Sequence, residues 1–139
     1  MAGTLLPLLG KLNYLMYRIP LIGESLVRGQ SRMAARIAFH MPILGGKRSS
    51  TLEGVKSEWL KFLSLAGMQP PMTQQGEKAF EFQVEACPYR FHRPEERGVC
   101  DACMDLDRTY VKLLGGELEV LASIPDGSGK CRCVVRVNG

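Results

Sequence analysis

The sequence predicts an α+β domain in which N-terminal helices precede a small antiparallel sheet with one packed helix. Three observations predict it. Apolar residues recur at helical spacing as far as residue 66, and beyond residue 76 the period changes to alternation. Glycine and proline pairs punctuate the change. At 139 residues the chain has the size of a single domain, and about two-thirds of its unfolded surface can be buried in one core. Hydrophobic residues at 45% and charged residues at 23% exclude a disordered, collagen-like or low-complexity chain.

The first helix is predicted over 5–19, where Leu5, Leu8, Leu12, Leu15, Met16 and Ile19 repeat near helical spacing until Pro20 closes the segment. The leucines of residues 5–15 and Met16 are expected to complete the core or a dimer interface, and Tyr14 and Tyr17 offer a docking surface for a larger partner. A second helix spans 23–39, with Leu26, Met33, Ala34 and Ile37 sharing one side and Arg28, Arg32 and Arg36 forming a stripe on another. Pro42 and Gly45-Gly46 end it.

Ser50 followed by Glu53 has capping-box spacing, and Leu52, Val55, Trp59, Phe62, Leu63 and Ala66 continue as a third helix. Gly67 and Pro70-Pro71 stop it. In FEFQVEA, Phe80, Phe82, Val84 and Ala86 alternate with Glu81, Gln83 and Glu85, the pattern of a half-buried strand. A polar loop covers 88–99, and Asp101 is placed to cap a helix over about 102–114, ended by Gly115-Gly116. ELEVLASI forms a strand, PDGSG (125–129) a turn, and CRCVVRV the last strand. The result is one domain over 1–139: a basic helical arm at 1–48 and a cysteine-rich β-α-β-β core at 78–138.

Charge is unevenly spread. Residues 1–48 hold seven Lys/Arg against the single acid Glu24, and the remainder holds eleven against thirteen. The arm is therefore expected to face an anionic membrane surface, an acidic protein, or the chain's own acidic part, and the last is favoured. Nucleic acid is excluded as a partner because aromatics are 7% of the chain and do not interleave with the arginines. No secretory or spanning segment is recognisable, since Pro7, Gly10, Lys11 and Arg18 interrupt the apolar start. A cytoplasmic location follows as the expectation. There, cysteines serve as metal ligands or reactive thiols more often than as disulfides.

The five cysteines, Cys87, Cys100, Cys103, Cys131 and Cys133, all lie beyond residue 86 in the pattern C-x12-C-x2-C-x27-C-x-C. Cys87 ends a strand, Cys100 and Cys103 bracket the predicted helix start, and Cys131 and Cys133 point the same way from the last strand. Four thiolates suit tetrahedral zinc or a 4Fe-4S iron–sulfur cluster, and a helix N-terminus lowers a thiol pKa. His92 in the loop could replace one sulfur in a zinc site. The competing reading is that some of these thiols are buried small hydrophobes.

The stretches ACPYRF, GVCDAC and DGSGKCRCVVRV resemble the bacterial L-2-amino-thiazoline-4-carboxylic acid hydrolase-like proteins, themselves similar to vinyl-reductase-like sensor domains. The resemblance covers about 78–138, under half of the chain. It implies helices before a small antiparallel sheet, with Cys87, Cys100 or Cys103, and Cys131 at the family's cysteine positions. It also implies either hydrolytic opening of a small ring or cysteine-bound zinc beside a small-molecule pocket. Cys133 and the basic arm depart from the family pattern.

Two functions from different classes follow. The first is a cysteine-ligated metal-binding domain, iron–sulfur ahead of zinc, acting as a redox sensor or accessory protein. The alternative is a hydrolase acting on carbon–nitrogen or ring bonds of a small cyclic substrate. It would use Cys100 or Cys103 as nucleophile, or a zinc-bound water, with His92, Asp101, Asp105 or Glu95 as base. His40 is expected to pack at the end of its helix.

Overall fold

The computed structural model describes residues 2–42 and 45–137. Helices α1 (Ala2–Tyr17), α2 (Gly23–Phe39) and α3 (Leu52–Leu65) come first, followed by strands β1 (Met72–Gln74) and β2 (Ala79–Val84). Helix α4 (Arg97–Leu114) precedes β3 (Gly116–Ala122) and β4 (Cys131–Val137). The sheet is antiparallel in the order β1-β2-β4-β3, so the α+β class and the β-α-β-β order both hold. Strand β1 is an addition. Three residues directly after Pro70-Pro71 carry too little alternation to be read as a strand, yet they pair along β2.

Strand β4 lies between β2 and β3, with Cys133 opposite both Phe82 and Val120 and Cys131 opposite Val84. The inner face of the sheet packs on α3 and α4 through Phe80, Phe82, Trp59, Tyr110 and Val135, all nearly or wholly buried. Aromatic rings knit this core, Phe62 stacking on Tyr110 at 4.0 Å and Trp59 meeting Phe82 at 5.8 Å. On the other face Glu81 is buried rather than solvated, because Arg132 donates to its carboxylate at 2.9 Å.

Two helix starts differ from expectation. Thr51, not Ser50, caps α3, its hydroxyl accepting from the Gly54 amide at 3.1 Å. Helix α4 begins at Arg97, not near 102, behind a short 3-10 turn at Pro94–Glu96. The Glu96 carboxylate accepts from the His92 and Arg93 amides at 3.1 and 3.0 Å and so anchors that turn. Asp101 is consequently inside the helix and caps nothing. Gly115, in the left-handed region at φ 111°, ends α4 as predicted.

The largest corrections concern α1 and α2. The expected apolar side of α2 faces outward: Leu26, Met33 and Ile37 are 41%, 61% and 62% exposed, while Gly23, Val27, Ser31 and Ala35 are buried. Small residues let α2 approach α4 closely. Between the two helices, Asp101 accepts from Arg28 at 2.8 Å, and Asp105 accepts from Arg28 at 3.1 Å and makes an ion pair with Arg32 at 2.8 Å. Two arginines of the basic stripe are thus spent on the chain's own acids, as the favoured reading had it, and Arg36 is exposed. Along α1, Leu5, Leu8, Leu12 and Leu15 are each more than half exposed and do not complete the core of this chain, whereas Met16 packs against the buried cluster of Val27, Phe91 and Val99. Gly10 and Asn13 face inward instead, Gly10 so close that a Cβ there would lie 2.6 Å from the Tyr89 carbonyl oxygen. Among the described residues no helix is long and apolar enough to cross a membrane.

Candidate functional site

All five cysteines line one cavity of about 140 Å³. Every layer of the fold contributes a wall: Leu6 of α1, Phe62 and Leu63 of α3, Phe82 and Val84 of β2, and the Cys87–Phe91 loop. Helix α4 adds Cys100, Cys103 and Asp107, and β4 adds Cys131 and Cys133. The period of two on β4 turns both of its thiols inward, as the sequence implied. On α4 the spacing of three and then four residues puts Cys100, Cys103 and Asp107 on one helical face.

Cys87 occupies a tight turn. The Arg90 amide donates to the Cys87 carbonyl at 2.9 Å, and Arg90 takes the left-handed conformation at φ 63°. Burial pushes the Cys87 thiol up, while the nearby backbone N–H groups of Phe91, Tyr89 and Arg90 pull the other way. Such donors stabilise a thiolate once one forms. Burial also raises Cys131, opposed by one backbone donor at Ile124.

Cys100 and Cys103 lie in the first two turns of α4 rather than bracketing its N-terminus, and burial is the largest influence on both thiols. Burial raises Cys100 above the ordinary thiol range, and the neighbouring Cys87 and Cys131 raise it further. Burial pushes Cys103 up to about 12 despite a hydrogen bond from the Asn13 side chain, and Cys133 is raised chiefly by burial as well. These thiols are therefore protonated in the metal-free protein at neutral pH. Among the described residues no three His, Cys, Asp or Glu side chains stand in coordinating geometry.

The expected bases do not reach the cavity. His92 is exposed, its Nδ1 3.0 Å from the Arg90 carbonyl oxygen, and it does not line the cavity. Glu95 pairs with Arg93 at the surface, and Asp101 and Asp105 are bound by arginines. His40 stands at the end of α2, edge-on to Phe39, as expected. The carboxyl that does line the cavity is Asp107, which sequence reasoning missed. Burial raises it to about 7, and only Arg108 opposes the shift. Its signal was legible: an acid at the position of α4 that otherwise carries the core residues Cys100, Cys103, Val111 and Leu114. Asn13 was missed too, because one polar residue among leucines reads as the solvent side of a helix.

No protein-family model matches this chain, and no curated protein sequence matches it.

Proposed function

We propose that this domain holds a soft metal centre on cysteine thiolates, an iron–sulfur cluster ahead of zinc, and acts as a redox sensor or accessory protein. The observation that carries the reading is that all five cysteines line one cavity. A donor set of five thiols and one carboxyl, with no histidine, selects thiophilic metals over magnesium or calcium. The cavity, at about 140 Å³, is larger than a single four-coordinate ion needs, which favours a cluster. Cys87, Cys100 and Cys103 would be ligands, with the fourth from Cys131 or Cys133. Protonated thiols pack like small hydrophobes, and rotation about one cysteine side-chain bond moves its sulfur by about 3 Å, so loading would draw the thiolates together. The donors around Cys87 make it the anchor.

Anaerobic purification followed by an absorption spectrum and metal analysis tests this. Iron and sulfide with broad visible absorbance, or stoichiometric zinc, is expected. Cys87→Ser and Cys103→Ser should each lose most of the metal, and His92→Ala should retain it. Wild-type protein that stays folded and metal-free under these conditions overturns the reading.

Asp107 favours a second reading. A carboxyl raised to about 7 inside a thiol-lined cavity has the pKa a general base needs at neutral pH. The cavity is comparable to one of ~150 Å³ that admits a small ring. Together with the resemblance of residues 78–138 to the thiazoline-carboxylate hydrolases, this supports hydrolysis of a small cyclic substrate by the metal-free domain. Turnover of a thiazoline carboxylate by metal-free protein, lost in Asp107→Asn, would put this reading first.

A further inference from the structure

We infer that the outer face of the α1–α2 hairpin docks on an anionic lipid bilayer. Eleven of the thirteen large hydrophobic side chains that stand exposed among the described residues fall between Leu5 and Met41, and the other two are Leu65 and Leu121. Soluble surfaces scatter such residues singly, and a concentration of this kind marks an interaction face. On α1 the exposed row is Leu8, Leu12, Leu15 and Ile19, at alternating three- and four-residue spacing. On α2 it is Leu26, Met33 and Ile37. Each helix sends a few residues inward, Gly10, Asn13 and the half-buried Tyr14 and Tyr17 on α1 and Val27, Ser31 and Ala35 on α2, and leaves a second apolar row outside. That outer row has no partner in this chain's own core.

The tip joining the helices points the same way. Leu21 is fully exposed and holds a left-handed backbone at φ 73°, a conformation that is costly for leucine. Pro20 and Ile22 beside it are exposed as well. Backbone bonds from the Ile22 amide to the Pro20 carbonyl and from the Gly23 amide to the Ile19 carbonyl, both 2.9 Å, close the turn, and the fully exposed Leu21 side chain gains no packing from it.

Charge selects the occupant. Lys11, Arg18 and Arg36 are exposed alongside the apolar rows and form no ion pair among the described residues. The single acid of this region, Glu24, is engaged by Arg28 at 3.3 Å. An apolar face edged with unpaired cations complements an anionic headgroup layer over an acyl interior. A second copy meeting the same face would bring two such cation sets together with no acid between them, which disfavours self-association.

The test uses the full chain in flotation with vesicles of phosphatidylcholine alone and of phosphatidylcholine with about one-third phosphatidylglycerol, at low and high salt. Light scattering without lipid gives the oligomeric state. Flotation with the anionic vesicles alone, weakened by salt, is expected. Lys11→Gln with Arg18→Gln should lower partitioning by on the order of tenfold, since each cation acts independently at the surface. Leu12→Asn with Leu15→Asn should abolish it; these side chains are exposed, so circular dichroism and the thermal midpoint should stay unchanged. Equal flotation with neutral vesicles overturns the role of charge, and no flotation overturns the inference. A dimer that Leu12→Asn with Leu15→Asn converts to monomer would assign the face to a second copy and overturn it too.

Discussion

Asp107 lies on the inward face of α4, and burial lifts its carboxyl to about 7. A carboxyl whose folded pKa exceeds its unfolded value binds more protons in the native state between those two values. Stability of the metal-free protein should therefore fall as pH rises from about 4 to about 7 and then level off. Asp107→Asn should flatten that slope and be the more stable protein at pH 8, as urea midpoints across the range would show. A wild-type profile without that decline would contradict the burial assigned to Asp107. The thiols obey the same logic with a different readout. Cys87 and Cys131 are half-buried and receive backbone donors, whereas Cys100, Cys103 and Cys133 are buried. Alkylation of the metal-free native protein at pH 8, followed by peptide mass spectrometry, should label the first pair well before the other three. Uniform labelling would mean that the cavity opens faster than the reagent reacts.

At the scale of elements, the junction of α2 and α4 is a charge clamp. Asp105, with an 8% exposed side chain, meets Arg28, Arg32 and Arg108 at 3.1, 2.8 and 2.9 Å. Removing it leaves three cations gathered without their shared acceptor. Asp105→Ala should cost about 3 kcal/mol in urea denaturation, toward the lower end for buried pairs because the arginines are partly solvated. Arg36→Ala, one turn beyond, should change stability by less than about 0.5 kcal/mol. Equal small effects would show that the clamp is dispensable. The spacing of Arg28, Arg32 and Arg36 announced a stripe, but not which helix it would meet. Periodicity identifies the faces of a helix without saying which one is inward, and on α2 the usual inference from hydrophobicity inverts. Small residues at Ser31 and Ala35 permit close approach, and the arginines at the edge are held by acids 73 and 77 residues away. Such a long-range pairing leaves no local trace. The strands β2, β3 and β4, by contrast, were legible because alternation and turn glycines are local properties.

For the whole molecule, the placing of the five cysteines around one cavity was legible in outline. Cys131 and Cys133 had to share a face, Cys100 and Cys103 had to share a helix, and a small sheet against that helix leaves few places for them to meet. The helix start was not legible. Placing it near 102 made the thiols into dipole-activated ligands, whereas the Glu96-anchored turn moves the start to Arg97 and leaves the thiols buried and protonated. That difference decides how metal binding couples to folding. Each thiol that becomes a ligand must release a proton that it holds to well above pH 8, so affinity must climb with pH. Binding that favours the native state at a hundredfold over its dissociation constant adds about 2.7 kcal/mol, on the order of 10 °C for a chain of this length. With zinc as the probe, the thermal midpoint should rise further at pH 8.5 than at pH 6. The metal-free midpoint should move the other way over that interval as Asp107 ionises. Opposite slopes on one protein separate a thiolate site from adventitious surface zinc, which would displace both curves little and equally. A zinc-induced shift of the same size at both pH values would remove the five-cysteine cavity as the binding site.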